Sequence, residues 1–232
     1  GEYEKNAGHM HVSKMELKQL YCTNLTFNAE SGSINVYKTH RMDSENVTGR
    51  VTFNSFGSIL FAESSMFQSI RAAAPEINIT ADIKVTHGHL LLEATEYYVD
   101  SGVQVKTDEH NIYVNPTKGG SGRMTTNTPV TWRGAVDVTF KIPIDVIGAG
   151  QLNFEADDNK QGTGTISLAH NVTVIGNQVA SCRFSASKMI LGSYINAVQA
   201  NVTLMTSNYT GAIMSVGAYH GGFHIADVHL DR

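Results

Sequence analysis

The fold is decided by the stretch Trp132-Arg-Gly-Ala-Val-Asp-Val-Thr-Phe-Lys-Ile-Pro-Ile-Asp-Val-Ile-Gly-Ala-Gly-Gln-Leu-Asn-Phe-Glu-Ala-Asp-Asp-Asn159. Its first arm has apolar residues at every second position, namely Val136, Val138, Phe140 and Ile142. The residues between them are polar, namely Asp137, Thr139 and Lys141. The second arm continues the alternation, with Leu152 and Phe154 separated by Asn153 and followed by Glu155. A period of two predicts two half-buried strands, joined here as one amphipathic hairpin over residues 132–159.

The tip of this hairpin is apolar, where the turn of a soluble hairpin is usually polar. It consists of Ile142, Pro143, Ile144, Asp145, Val146 and Ile147. Each arm has about the 9–11 residues that a tilted strand needs to cross a bilayer core. Two interpretations are open: a hairpin of an ordinary antiparallel sandwich, or a hairpin that contributes to a transmembrane β-barrel with one face toward lipid and one toward water.

Two longer stretches extend the pattern. Phe140-Lys-Ile-Pro-Ile-Asp-Val-Ile-Gly-Ala-Gly-Gln-Leu152, followed by Gly162-Thr-Gly-Thr-Ile-Ser-Leu-Ala-His-Asn-Val-Thr-Val174, resembles the insertion loop and returning strand of the aerolysin-like (aerolysin/epsilon-toxin/natterin) β-pore-forming proteins. The C-terminal stretch 208–232 is similar to the closing strands of the natterin-type module. The resemblance covers roughly residues 84–232. It departs from the family at Val174-Ile-Gly-Asn177, where a pair of prolines is usual.

The resemblance implies a pore-forming protein whose soluble subunits bind a target-cell membrane through a receptor or glycan and form a homo-oligomeric ring. The hairpins would then insert together. The residues of the membrane-inserting hairpin would be Val136, Val138, Phe140, Ile142, Pro143, Ile144, Val146, Ile147, Leu152 and Phe154. Those buried in lipid would be Val136, Val138, Phe140, Ile142, Leu152 and Phe154. The residues facing the pore lumen would be Asp137, Thr139, Lys141, Asn153 and Glu155.

Short β-branched or alternating runs separated by turn residues occupy the rest of the chain, including residues 20–27, 33–37, 47–53 and 58–62. One helix is predicted over Ser64–Ala74, ending before Pro75. We therefore expect an all-β, elongated, mostly antiparallel protein. It would have an N-terminal β-rich lobe at residues 1–83, suited to receptor recognition, and an aerolysin-like module at residues 84–232.

The charge content of the chain argues against two classes of binding partner, nucleic acid and anionic lipid. The 232 residues are 16% charged, with a formal net charge of −4 and no cluster of Lys and Arg, which argues against nucleic acid and against simple attraction to anionic lipid. The chain lacks the run of about 18 apolar residues of a transmembrane helix, and it opens without the apolar segment of a signal peptide. Six Asn-x-Thr sequons fit a secreted glycoprotein; they begin at Asn24, Asn46, Asn78, Asn171, Asn201 and Asn208.

Other chemistry has little support in the sequence. Cys22 and Cys182 can form a disulfide or remain two separate buried thiols. His87 and His89 lie two residues apart, and further histidines lie near the C-terminus, but they lack an acidic partner at fixed spacing, so no metal site and no cofactor are predicted. No nucleotide-binding or hydrolase motif is present, and the chain is not predicted to be an enzyme.

Two alternatives to pore formation are kept. The first is an adhesin or phage-tail-like β module that binds a host glycan or protein and never inserts. The second is a glycan-acting enzyme using carboxylates of the central stretch, namely Asp137, Asp145, Glu155, Asp157 and Asp158. The absence of a recognisable catalytic pair counts against the enzyme.

Overall fold

Three parallel β-sheets wrap around one hydrophobic core and form a β-solenoid. The computed structural model describes residues 8–159, 161–175, 181–192, 194–197, 201–207, 214–216 and 223–225, with only the backbone described for 41, 42, 175, 214–216 and 223–225. Every strand pairing in these ranges is parallel, so the predicted antiparallel fold is wrong.

From Val51 onward, each rung of the solenoid passes through sheet 1, sheet 2 and sheet 3 in that order, whereas the described strands before Val51 lie in sheets 1 and 2 and are joined by two short helices. Sheet 1 contains β2 (Leu25–Ala29), β4 (Val51–Ser55), β7 (Ile70–Ala73), β10 (Leu90–Glu93), β13 (Ile112–Asn115), β16 (Val138–Phe140), β19 (Thr165–Leu168) and β22 (Lys188–Leu191). Sheet 2 contains β1 (His9–Val12), β3 (Ser33–Val36), β5 (Ser58–Phe61), β8 (Glu76–Ile79), β11 (Glu96–Val99), β14 (Arg123–Asn127), β17 (Ile144–Ile147), β20 (Val172–Ile175) and β23 (Ile195–Asn196). Sheet 3 contains β6 (Ser65–Phe67), β9 (Ile83–Val85), β12 (Gln104–Thr107), β15 (Val130–Arg133), β18 (Gln151–Glu155), β21 (Ser181–Ala186) and β24 (Asn201–Thr206).

The strands alternate between buried and outward-facing side chains, because one face of each sheet covers the core and the other meets solvent. Equivalent inward residues stack from rung to rung, as Ile59 does beside Ile77 in sheet 2 and Phe154 beside Phe184 in sheet 3. Successive rungs therefore share a continuous core, and no single rung has a core of its own.

Aromatic side chains reinforce this core at two levels. Near the N-terminal end Phe53 stacks on Phe27, with ring centroids 5.5 Å apart. Farther along, Phe154 stacks on Phe184 at 5.2 Å and meets Phe140 edge-on at 5.1 Å. Trp132 also meets Phe140 edge-on, with ring centroids 5.0 Å apart. The central stretch therefore supplies much of the aromatic core.

Two short helices lie near the N-terminal end, α1 (Lys14–Lys18) and α2 (Arg41–Ser44). Ser13 caps α1, and the buried Leu17 joins the core. Lys18 forms an ion pair of 3.1 Å with Asp43 of α2. Two further strands, β25 (Met214–Val216) and β26 (Phe223–Ile225), pair with each other in a separate parallel sheet.

Three sequence predictions are corrected by this architecture. The predicted helix over residues 64–74 is instead β6 and β7, which belong to sheets 3 and 1. The two arms of the predicted hairpin do not pair with each other, because β16 lies in sheet 1 between β13 and β19, and β18 lies in sheet 3 between β15 and β21. The tip is β17, a strand of sheet 2. The apolar tip is thus an ordinary strand of the solenoid wall, with Ile144 and Val146 buried in the core and Ile147 exposed.

The strand predictions themselves are confirmed over most of the N-terminal part, where β2 to β5 fall within or beside the predicted runs. The domain boundary predicted after residue 83 falls inside β9, and β9 pairs with β6 before it and β12 after it. The rungs therefore continue across this position.

Candidate functional site

One corner of the solenoid, where the chain leaves sheet 3 and enters sheet 1, carries a row of polar side chains. Side chains placed just before successive sheet 1 strands bond to the backbone of the next rung. The Asn24 side-chain oxygen accepts the Arg50 N–H at 3.0 Å. Asn111 accepts the Asp137 N–H at 3.3 Å, and Asp137 accepts the Thr165 N–H at 2.8 Å. These side-chain to backbone bonds stabilise the corner along the solenoid axis, and we call their row the corner ladder.

His89 occupies one step of the corner ladder. Its Nδ1 accepts the Asn111 N–H at 3.3 Å, which requires an unprotonated Nδ1. The ring lies 4.8 Å from the ring of His110 and 5.7 Å from that of Tyr113. Partial desolvation of the otherwise exposed ring, followed by the neighbouring His110 and Arg50, lowers the pKa of His89 from its ordinary value. The neutral imidazole is therefore the form that the folded corner stabilises.

The stability of the protein is expected to fall as the pH drops below about 6.5, with His89 as one cause. The unfolded ring binds a proton near its ordinary pKa, whereas the folded ring, with its lowered pKa, binds it only at lower pH. The unfolded state then holds more protons, so the free energy of unfolding decreases as the pH falls through this window. Thermal melts of the wild type and of His89→Asn between pH 8 and pH 4.5 measure the effect.

Asparagine is the matched replacement because Asn24 and Asn111 already fill equivalent steps, and its side-chain oxygen can accept the same N–H. His89→Asn should therefore keep the melting temperature at pH 8 and show a flatter pH profile. His89→Ala also removes the titrating group but loses the acceptor, at a cost of about 0.5–1.5 kcal/mol at every pH. A His89→Asn profile as steep as that of the wild type would contradict the assignment.

A polar groove opens on the N-terminal half of this corner. It encloses about 230 Å³ and is lined by Asn24, Thr48, Gly49, Arg50, Gln68, Ser69 and His87. Gly49 is required by close approach, because a Cβ there would lie 2.5 Å from the Thr23 carbonyl oxygen. The lining contains no Asp or Glu. The groove thus presents hydrogen-bonding groups of several kinds on a rigid wall.

Some of the polar side chains that line the groove already form hydrogen bonds within the protein. The Ser69 hydroxyl donates to the His89 carbonyl at 3.1 Å, and the Gln68 amide donates to the Glu45 carbonyl at 3.3 Å. Within the described chain, no carboxylate lies within the 4.0 Å ion-pair distance of Arg50, whose side chain is exposed. The Arg50 guanidinium is therefore free to bind a ligand.

The outer face of sheet 3 carries more charged residues than the groove, but most of its cations form ion pairs with carboxylates of the same face. Lys84 pairs with Asp108 at 2.8 Å, and Lys106 pairs with Asp158 at 3.1 Å. Arg133 pairs with Glu155 at 2.6 Å. Half-exposed pairs of this kind contribute little stability each, but they leave few charges for a partner. We therefore place the candidate site at the polar groove.

The residues predicted to form the membrane-inserting hairpin lie mostly in the interior. Those with almost no exposed surface are Val138, Phe140, Ile142, Ile144, Val146, Leu152 and Phe154. Val136 and Pro143 are half-buried, and Ile147 is exposed on the outer side of sheet 2. The predicted alternation is confirmed, but the surface that these residues cover is the solenoid core.

The residues predicted to line a lumen do not share one surface. Thr139 and Lys141 face outward at sheet 1, and Asn153 and Glu155 face outward at sheet 3. Asp137 belongs to the corner ladder. In the folded chain these five residues are distributed over two faces and the corner between them.

The carboxylates considered for glycan hydrolysis are also dispersed and occupied. Asp145 pairs with Arg123 on sheet 2, whereas Glu155 and Asp158 pair with cations of sheet 3. Asp157 is buried and accepts hydrogen bonds from the Ser187 and Ser207 hydroxyls. Over the described residues, no group of three or more His, Cys, Asp and Glu side chains is close enough to hold a metal ion.

The two cysteines are free thiols, which corrects the disulfide alternative. Cys22 precedes the first strand of sheet 1 and forms an isolated parallel β-bridge, through its backbone, with Val47. Cys182 lies in β21, near the other end of the solenoid. Rungs are about 4.8 Å apart, so the intervening rungs separate the two sulfurs far beyond bonding distance. Burial raises the pKa of Cys182 to about 11.

Comparison of the chain with protein-family models, with curated proteins and with solved structures found no match. The aerolysin-like resemblance therefore stays a prediction. Neither helix of the described chain has the length and apolar content needed to cross a bilayer.

Sequence reasoning singled out His87 and His89 but missed Asn24 and Arg50, which complete the groove. The signal available in the sequence was a polar residue directly before an apolar strand, as in Asn24-Leu25, Arg50-Val51, Asn111-Ile112 and Asp137-Val138. That pattern becomes meaningful only when the strands are known to stack in one sheet.

Proposed function

We propose that the chain is a non-inserting binding module of the adhesin or phage-tail-like kind, and that it binds a glycan at the polar groove. The observation that carries the proposal is the free Arg50 guanidinium in an open groove whose lining is otherwise made of neutral polar groups and one imidazole. The ligand class and the mode of binding are inferences from this chemistry.

A glycan fits the groove because its hydroxyl groups donate and accept hydrogen bonds, and the lining offers amide, hydroxyl, imidazole and guanidinium partners. The groove is open to solvent, so an internal segment of a long polysaccharide can enter it from the side. The corner ladder fixes its wall before a ligand arrives, which lowers the entropy lost on binding. Rigid support of this kind favours recognition of an extended, repetitive polymer.

Pore formation remains a separate prediction with an energetic cost in this fold. Exposure of the apolar residues of the central stretch would remove Phe140, Leu152 and Phe154 from the core, at about 1.5–3 kcal/mol for each side chain. The strands β16 and β18 would also lose both of their parallel neighbours. The binding-module proposal needs no such rearrangement.

Binding of the purified protein to an immobilised panel of neutral and acidic polysaccharides tests the proposal. The wild type should bind at least one of them, and the double variant Arg50→Ala/His87→Ala should bind that polysaccharide at least about tenfold more weakly, since one lost charged contact is worth about 1.5–3 kcal/mol. Lys141→Ala is the control, because it removes an exposed cation of sheet 1 outside the groove.

Dye release from liposomes and from intact cells, measured with the same preparations, tests pore formation. The binding-module proposal expects no leakage. Leakage accompanied by oligomers that resist SDS would favour the pore-forming alternative. Absence of binding to every member of the panel would contradict the binding-module proposal.

A further inference from the structure

We infer that the polar groove is specific for a carboxylate group carried by a saccharide, as in a uronic acid. This inference rests on the proposed function and goes beyond it, because it names the chemical group that Arg50 binds.

Arg50 is the only residue with a permanent charge in the lining of the groove. Three other described arginines, Arg71, Arg123 and Arg133, are paired with carboxylates on the outer faces of the sheets. Arg183 in β21 has no carboxylate partner among the described residues, but it lies outside the groove. Arg50 lacks such a partner among the described residues. A planar guanidinium without a protein carboxylate is suited to bind a carboxylate of the ligand through two parallel hydrogen bonds.

The groove keeps open donors at Asn24, Thr48 and Arg50. The Gln68 side-chain oxygen stays open as an acceptor, because the Gln68 amide nitrogen donates to Glu45, and His87 Nδ1 already contacts the Thr86 hydroxyl at 2.9 Å. The Asn24 side-chain oxygen is taken by the Arg50 N–H, which leaves the Asn24 amide N–H groups for a ligand. The Thr48 hydroxyl and the Arg50 guanidinium have no partner within the described chain. The open donors of Asn24, Thr48 and Arg50 are complementary to an acceptor-rich group, and a carboxylate has two oxygens with about four lone-pair sites.

Acidic groups lie outside this set of donors. The backbone carbonyl of Glu45 accepts from Gln68, and the Glu45 side chain is exposed and forms no ion pair with Arg50. The protein as a whole carries a formal net charge of −4, which disfavours a densely charged polyanion at long range. The ligand that satisfies both conditions is a polysaccharide with isolated carboxylates, each of which is neutralised locally by Arg50.

Matched pairs of polysaccharides test the inference. Hyaluronan and gellan, in which uncharged sugars separate the carboxylates, are compared with their carboxyl-reduced forms, which keep the backbone and lose the charge. Binding is measured by biolayer interferometry in about 0.15 M salt, where surface charges more than about 8 Å apart are screened. The wild type should bind at least one acidic form at least about tenfold more tightly than its reduced form.

Three variants locate the effect. Arg50→Ala should bind the acidic and reduced forms equally weakly. Arg50→Lys should recover only part of the preference for the acidic forms. An ammonium is a point charge and cannot form the two parallel hydrogen bonds that a guanidinium makes to a carboxylate. Lys141→Ala, which removes a cation outside the groove, should behave as the wild type.

The outcomes separate the two proposals. Equal binding of acidic and reduced forms by the wild type, or binding to neutral polysaccharides alone, would overturn the carboxylate inference and leave glycan binding standing. A preference for the acidic forms that survives in Arg50→Ala would also overturn it, because the preference would then arise elsewhere. Absence of binding to these polymers and to the whole panel would overturn the proposed function itself.

Discussion

Phe154→Arg is expected to abolish folding. Phe154 has no exposed surface and lies in β18, stacked on Phe184 and edge-on to Phe140. Loss of a buried phenylalanine costs about 3–5 kcal/mol, and an unpaired guanidinium in the same place adds several kcal/mol of desolvation. The sum is comparable with the whole stability of a typical domain, about 5–15 kcal/mol. Circular dichroism and thermal melting of the purified variant measure the result.

Val138→Arg should have the same effect, because Val138 is equally buried in β16. Thr139→Arg is the matched control, since Thr139 is the next residue in the strand and faces outward between Tyr113 and Ser167. The hairpin hypothesis predicts the opposite outcome for Phe154→Arg: a normally folded soluble protein that fails only at a membrane. A Phe154→Arg protein with the spectrum and melting temperature of the wild type would therefore contradict the solenoid core.

Asp157→Ala is expected to lower the free energy of unfolding by about 3 kcal/mol, since a bond to a charged group contributes about 1.5–3 kcal/mol. The Asp157 carboxylate is buried and accepts the Gly162 N–H at 3.0 Å, the Ser187 hydroxyl at 2.9 Å and the Ser207 hydroxyl at 2.6 Å. These donors belong to the loop after β18 and to the two following rungs. The one side chain thus joins three levels of the solenoid, and urea denaturation measures its contribution.

Two variants separate the causes of this loss. Asp157 has a positive φ of 66°, a left-handed conformation that costs alanine about 1–2 kcal/mol and glycine almost nothing. Asp157→Gly should therefore recover about 1 kcal/mol relative to Asp157→Ala and still lack the acceptors. Asp158→Ala removes the neighbouring carboxylate from half-exposed ion pairs and should cost at most about 1 kcal/mol. An Asp157→Ala variant as stable as the wild type would refute the anchoring role.

The inward and outward faces of the strands could be predicted from the sequence. Alternation in Val138-Thr-Phe140 and in Gln151-Leu-Asn-Phe-Glu155 correctly separates core residues from surface residues, because side chains of any strand point alternately to its two faces. The helix predicted over residues 64–74 fails because its apolar residues fit two short strands joined at Gln68-Ser69 equally well.

The polar groove could be predicted only in part. His87 and His89 drew attention because they are close in sequence, whereas Asn24, Arg50 and Gln68 come from three different rungs. Residues from separate rungs meet only through strand pairing such as Val51 beside Ile70. The pairing distance along the chain also changes, from Ile59 and Ile77 to Leu152 and Cys182, so the sequence shows no fixed repeat that would reveal it.

The sequence by itself determined that the chain is all-β, where most strands lie and which side chains they bury. Tertiary structure alone decided that β16, β17 and β18 belong to three different sheets and pair with earlier and later rungs. The physical reason is that alternation reports how many faces of a strand are covered, and not which strand lies beside it. Parallel sheets buried on both faces read as continuous apolar runs, but a solenoid leaves one face of each parallel sheet in water and so produces the alternation of an antiparallel hairpin.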